Sequence, residues 1–243
     1  MDPSLSQAVG DNIEWCDLVC RSLEVGTGRS DVLWWCVDEA PPLYPDVITA
    51  RPEVPLDALF QLIEQRPTCT VKDSFGALDL TGEGFSVLFD ASWIARSPGV
   101  PDGVDSAWDV LASDDDLDEW ERAWIAAGGA TNSLQPRRLR GSPVWFLAER
   151  ADSIIVAGVA VHHGAGVLGM SNLFCVEDTS DLGEHAAADK VPPWVFAASA
   201  VSWLAPELGV VGYERGTALT SLLAVGFERA GDLRVWQRAG DDG

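Results

Sequence analysis

Few side chains in this 243-residue sequence sit where proton transfer or anion binding would place them. Tyr213 and Glu214 end a short apolar run, Val210-Val211-Gly212, and as strand neighbours they point to opposite faces, so only one of them should face a cleft. His162 and His163 close a second run before Gly164, and Glu149 ends a third. Each can donate or accept a proton, and the residues selected for that role are Tyr213, Glu214 and His163. The plainer readings are a core aromatic with its hydroxyl at the rim for Tyr213, and an exposed strand end for the histidines. Lys72 and Asp73 are a charged pair in an apolar strand environment, where pairing across a sheet is the plainer reading. Arg137, Arg138 and Arg140 form the one basic cluster: a phosphate or carboxylate anchor, or a solvated loop.

Composition removes several classes of function. With 38 Asp plus Glu against 16 Lys plus Arg, the formal charge is −22, which repels nucleic acid and anionic membranes. Neither is expected as a partner. The five cysteines, Cys16, Cys20, Cys36, Cys69 and Cys175, are odd in number and lie among apolar neighbours, as suits reduced buried thiols. Cys16 and Cys20 lie one helical turn apart without a second pair at ligand spacing, so no metal site is expected. No secretory-type leader and no apolar run of 18 residues is evident, and the expected compartment is the cytoplasm.

Periodicity supplies the elements that must hold these residues. The Pro-Gly-Val-Pro-Asp-Gly-Val-Asp-Ser run at 98–106 suits neither helix nor strand and reads as a linker. Beyond it come a short strand at 108–111 and a helix carrying Leu117, Trp120 and Trp124 on one face behind Asp114-Asp115-Asp116. Strands at 144–149, 154–163 and 167–176 follow, then a helix over 194–204. In the first half, a helix at 13–23, strands at 32–37 and 47–50, a helix at 56–65, and strands at 69–73 and 87–94 are expected.

The last thirty or so residues run from Val210-Val211-Gly212-Tyr213-Glu214 through a helix at Thr217 to Ala224, a Gly226-Phe227 stop, and a strand at Leu233-Arg234-Val235-Trp236. This strand, helix, Gly-Phe, strand order resembles the C-terminal end of the GCN5-related N-acetyltransferases. The resemblance implies an α/β fold, a mixed sheet flanked by helices, and transfer of an acyl group from acetyl-CoA or another acyl-CoA to a small-molecule amine acceptor. An acidic cleft would favour a cationic one. The domains are expected as a degenerate copy over 1–97, a linker over 98–106 and the clearer domain over 107–243. Supporting a repeat, Gly84-Phe85 and Gly226-Phe227 are each followed by an arginine, Arg96 or Arg238, twelve positions after the glycine.

The family's chemistry is only partly provided for. The family holds the donor's diphosphate on a Gly-rich loop opening the central helix, where backbone N–H groups suit an anion. Here that loop is Glu177-Asp178-Thr179-Ser180-Asp181-Leu182-Gly183-Glu184-His185, and its first-half counterpart, Arg51-Pro52-Glu53-Val54-Pro55, lacks glycine. Weak acetyl-CoA binding is therefore expected. The family polarises the thioester with a backbone N–H where two central strands splay, which implies Ser171, Asn172 and Leu173 as the donor-binding segment. Gly169 marks either a bend there or the close approach of a neighbour. The family's general-acid tyrosine position is Leu222, or Leu80 in the first half. A binding or scaffolding module on the same fold is the alternative, and an enzyme of different chemistry using the groove between the halves is a third.

Overall fold

The computed structural model describes residues 3–100, 108–176 and 193–239. Its first part contains helix α1 (Pro3–Ser22), strands β1 (Thr27–Arg29), β2 (Leu33–Cys36) and β3 (Val47–Thr49), helix α2 (Leu56–Ile63), and strands β4 (Cys69–Asp73) and β5 (Ser86–Arg96). There follow β6 (Asp109–Val110), helix α3 (Asp114–Ala126), β7 (Val144–Ala151), β8 (Ile154–Gly164) and β9 (Val167–Cys175). Helix α4 (Pro193–Leu204), β10 (Val210–Glu214), helix α5 (Gly216–Ala224) and β11 (Glu228–Arg238) complete the chain.

All eleven strands form one mixed sheet, in the order β1-β2-β3-β4-β11-β5-β10-β9-β8-β7-β6. The two expected halves interleave at its centre. β11, from the end of the chain, lies antiparallel between β4 and β5, and β5 lies antiparallel between β11 and β10. Outside them, β3 with β4 and β9 with β10 are the parallel pairs, so the pairing reads the same from either side of the β5–β11 ladder. Gly84 and Gly226 both take positive φ, 78° and 91°, and each is followed by a buried phenylalanine. The arginines cross over: the Arg96 guanidinium lies 5.8 Å from the Phe227 ring centroid and that of Arg238 lies 4.9 Å from Phe85.

Helices cover both faces. One face carries α1 and α3 over a core that includes Ile13, Trp15, Trp93, Trp120 and Trp124. The other carries α4 and α5 over Val159, Val161, Leu168 and Phe227, while α2 supplies Leu59 and Ile63 to a third cluster with Val71 and Trp236. Local signals explain the ends. The Ser113 side chain accepts from the Asp116 backbone N–H, and Asp114 to Asp116 sit where the helix dipole favours negative charge. At the other end of the chain, α5 closes with Phe227 N–H donating to Leu222 O (3.1 Å) and Gly226 N–H to Leu223 O (3.3 Å). This pairing requires the left-handed backbone that glycine provides.

Candidate functional site

The pairing of β9 with β10 is short: Val210 with Leu168 and Val211 with Gly169. Past this point the strands part. In β9, Asn172 and Leu173 together oppose the single residue Val159 of β8, and Asn172 has φ 53°. Such a bulge bends a strand and sharpens its twist. It carries β9 away from β10 and leaves the backbone of Ser171 to Leu173 without ladder partners in β10.

A cavity of about 310 Å³ opens at the parting, lined by Ser171, Asn172, Leu173, Tyr213 and Glu214 together with Asn12, Trp15 and Cys16 of α1, Tyr44, Lys72 of β4 and Trp124 of α3. Tyr213 and Glu214 alternate in direction along β10, yet both reach this cavity because it passes between parted strands instead of lying over one face.

Its electrostatics are set by Lys72, Tyr213, Glu214, Tyr44 and Cys16. The Lys72 side chain is buried, the residue only 4% exposed. Its ammonium donates to Asn12 Oδ1 (3.0 Å) and to the Tyr213 hydroxyl (3.4 Å) and lies 4.4 Å from the Tyr213 ring centroid. Tyr213 is steadied edge-on by Trp93, centroids 5.4 Å apart, and Trp93 donates its indole N–H to Ser74 O (2.8 Å). Burial pushes the Glu214 carboxyl up to about 7, against the pull of the Arg215 N–H and guanidinium. The Tyr44 hydroxyl donates to Asn172 Oδ1 (3.4 Å), and desolvation raises Tyr44 well above the ordinary phenol range. Desolvation likewise pushes the Cys16 thiol up to about 11, so this wall offers no thiolate at neutral pH.

The remaining candidates lie elsewhere. His163 is exposed and does not line the cavity; its backbone N–H donates to Pro143 O (2.9 Å). Its neighbour His162 is buried, with Nδ1 2.9 Å from Asp11 Oδ1. Glu149 also lies outside the cavity. Lys72 and Asp73 do not pair with each other: Asp73 accepts from the backbone N–H groups of Phe75 (3.2 Å) and Leu78 (2.7 Å). The arginine cluster is occupied. Arg137 bridges Asp114 (3.0 Å) and Asp118 (2.9 Å), Arg140 pairs with Asp114, and Arg138 donates to Ser22 O (3.0 Å). It ties the 136–139 turn to the start of α3 and to the end of α1.

Gly169 has a packing role, since a Cβ there would overlap the Asp11 carboxylate; the bend falls three residues later, at Asn172. Asn12, Trp15 and Tyr44 had escaped the sequence reading, because nothing in their local spacing distinguishes them from ordinary helix and loop residues. Among the described residues no cluster could hold a metal ion, and no helix is long and apolar enough to cross a membrane. The 177–185 loop, with Glu177, Asp178, Asp181 and Glu184, lies outside the described residues. Its first-half counterpart, Arg51 to Pro55, leads into α2 with no side-chain cap, and two of its five residues are prolines without an N–H. It is a poor diphosphate cradle.

No protein-family model matches the sequence, and no curated protein matches it. Solved structures do. A GCN5-related N-acetyltransferase from Kribbella flavida aligns over 95% of this chain and 96% of its own, with a TM-score of 0.61 at 14% identity. A putative acetyltransferase of the GNAT family from Novosphingobium aromaticivorans covers 93% and 96%, with a TM-score of 0.56 at 13% identity. A GCN5-related N-acetyltransferase from Sphaerobacter thermophilus covers 99% and 94%, with a TM-score of 0.55 at 13% identity. At such identities these likenesses establish the fold.

Proposed function

On the fold of the GCN5-related N-acetyltransferases, we propose that this chain is an N-acyltransferase acting where β9 and β10 part. One observation carries the reading: a bulged strand and a parted ladder meet a carboxylate, Glu214, that burial has pushed up to about 7. A group tuned to that value takes and returns protons at neutral pH. The opening suits the acyl end of a thioester, with the backbone of Ser171, Asn172 and Leu173 on one side and Tyr213 and Glu214 on the other.

An acyl thioester supplies the activated carbonyl: the amine nitrogen forms the new C–N bond as the C–S bond breaks, and the thiolate leaves with the electron pair and is protonated, giving amide and thiol. Glu214 accepts the proton that the acceptor ammonium must lose before attack. Tyr213, whose oxygen accepts from Lys72, gives its proton to the departing sulfur and regains one from the nitrogen as the amide forms. In this reading Tyr213 replaces the donor missing at Leu222, which is fully buried. That buried leucine is also what favours the second reading, a non-catalytic binding module.

Affinity for the thioester donor is expected to be low, because the family's order sets its diphosphate loop at 177–184, where this sequence has Glu177, Asp178, Asp181 and Glu184 and like charges repel. The test is thiol release from millimolar acetyl-CoA with a panel of small amines, alongside a thermal-shift titration. Thiol release that falls 10²-fold or more in Glu214→Gln supports acyl transfer. Neither release nor a melting shift at saturating donor would leave the binding module standing.

A further inference from the structure

We propose that the cavity between β9 and β10 selects an acceptor carrying a carboxylate beside its amine and an apolar side chain, an apolar α-amino acid or close analogue, with Lys72 as the carboxylate anchor. This rests on the proposed acyl transfer for the amine's role but not for the anion site.

Lys72 combines burial with an unbalanced charge. It is 4% exposed, its two hydrogen-bond acceptors, Asn12 and Tyr213, are neutral, and it belongs to no ion pair among the described residues. A buried ammonium normally has a counter-charge, since desolvation without one costs several kcal/mol. The neutral acceptors hold it in place without cancelling its charge. An ammonium has three N–H donors; two are used, and the residue lines an open cavity. A carboxylate supplied by a ligand meets both needs at once.

Size and lining define the rest of the ligand. A volume of about 310 Å³ falls at the small end of ligand pockets, and Trp15, Tyr44, Trp124 and Phe174 give its walls an aromatic character. Among the described residues Glu214 is the one acidic residue lining it, and can take the ammonium. Opposite charges on the wall thus suit a zwitterion. This narrows the acceptor expected from acidity alone, because the molecule's charge of −22 acts at long range and is screened beyond about 8 Å at physiological salt, whereas Lys72 acts at contact.

Isothermal titration of the intact protein with three probes tests the inference: phenylalanine, phenethylamine without the carboxylate, and 3-phenylpropionate without the amine. Phenylalanine should bind roughly ten- to hundredfold more tightly than phenethylamine, as loss of a charge-assisted hydrogen bond implies. 3-Phenylpropionate should also bind, and Lys72→Met should remove its binding and the preference for phenylalanine, while Lys72→Arg retains part of both. The wild-type comparison is decisive even if Lys72→Met fails to fold. Phenethylamine binding as tightly as phenylalanine, a preference that survives Lys72→Met, or no binding by any probe would overturn the proposal. Carboxylate binding through Lys72 without thiol release from acetyl-CoA would uphold the anion site and dismiss acyl transfer instead.

Discussion

Glu214 is the residue at which the proposed chemistry and the stability of the fold meet. Its carboxyl rises from an ordinary 4.5 to about 7 because burial disfavours the charged form. In the proposed acyl transfer it must be deprotonated to act as a base, so the rate should climb as pH passes through 7 and level off above 8. Stability runs the other way. A carboxyl raised in the folded state contributes stability that is fully present below pH 4.5 and is lost as pH rises through 7. Asp11, pushed up to about 6 by burial although His162 and the Gly164 N–H pull it down and Glu14 pushes it further up, adds a loss of the same sign between about pH 4 and 6. Glu214→Gln should therefore match the parent's melting temperature near pH 4.5 and exceed it at pH 8 by a shift worth on the order of 1–3 kcal/mol, even as activity falls. Melting curves at the two pH values check it; a variant that melts lower at pH 8 would show that partners of the charged carboxylate outweigh its burial.

At the scale of elements, two helices hold the site by different means. α3 is held by tryptophan packing. The buried Trp120 stacks on Trp124 at 6.2 Å, meets Phe146 and Phe174 edge-on at 4.9 and 5.1 Å, and donates to Leu147 O at 3.1 Å. Trp120→Ala should cost roughly 3–5 kcal/mol as a large-to-small core change, and chemical denaturation measures it directly. α1 packs Ile13, Trp15 and Val19 into that core and adds a close approach of Asp11 to Gly169. Gly169→Ala should displace α1 and cost roughly 1–3 kcal/mol through overpacking, loosening Asn12 from Lys72 as it does so. Combined with Asp11→Ala, it should cost less than the two single changes summed, because removing the carboxylate makes room for the methyl group. Simple additivity in that double-mutant cycle would sink the close-approach account.

For the whole molecule, the exchange of central strands is what makes one body of the chain. β11 fills the gap between β4 and β5, so the first part cannot complete its sheet alone, and β5 serves β10 in the same way. A chain ending at Phe227 should fail to fold, with the loss of cooperative thermal unfolding as the readout, although it lacks only the last strand and tail. Separate 1–97 and 107–243 fragments should each be unstable and should associate when mixed, since each leaves a central strand unpaired. Two fragments that fold independently and stay apart in gel filtration would favour the domain division that composition first suggests.

Local structure, and through it the fold, was written in short-range signals along the chain. Apolar period, the Ser113 cap and acidic first turn of α3, and the Gly226-Phe227 stop act within a few residues, so β4 and β10 fall where periodicity places them, at Cys69–Asp73 and Val210–Glu214. Tyr213 and Glu214 were legible because strand ends present side chains, and Ser171 to Leu173 because a glycine-marked strand in this family resemblance is where a splay belongs. Which residues share a cavity was settled by packing across the whole sheet. Asn12 and Lys72 are brought within 3.0 Å of each other from sixty positions apart, and the strand order that sets β11 and β5 between β4 and β10 is invisible to any local pattern. Strand alternation put the two histidines on opposite faces, while long-range packing set which is buried, His162 against Asp11, and turned the arginines toward α3. Which partner a charge finds depends on the whole chain's packing, and a sequence read residue by residue carries no distance between segments that meet only when the sheet closes.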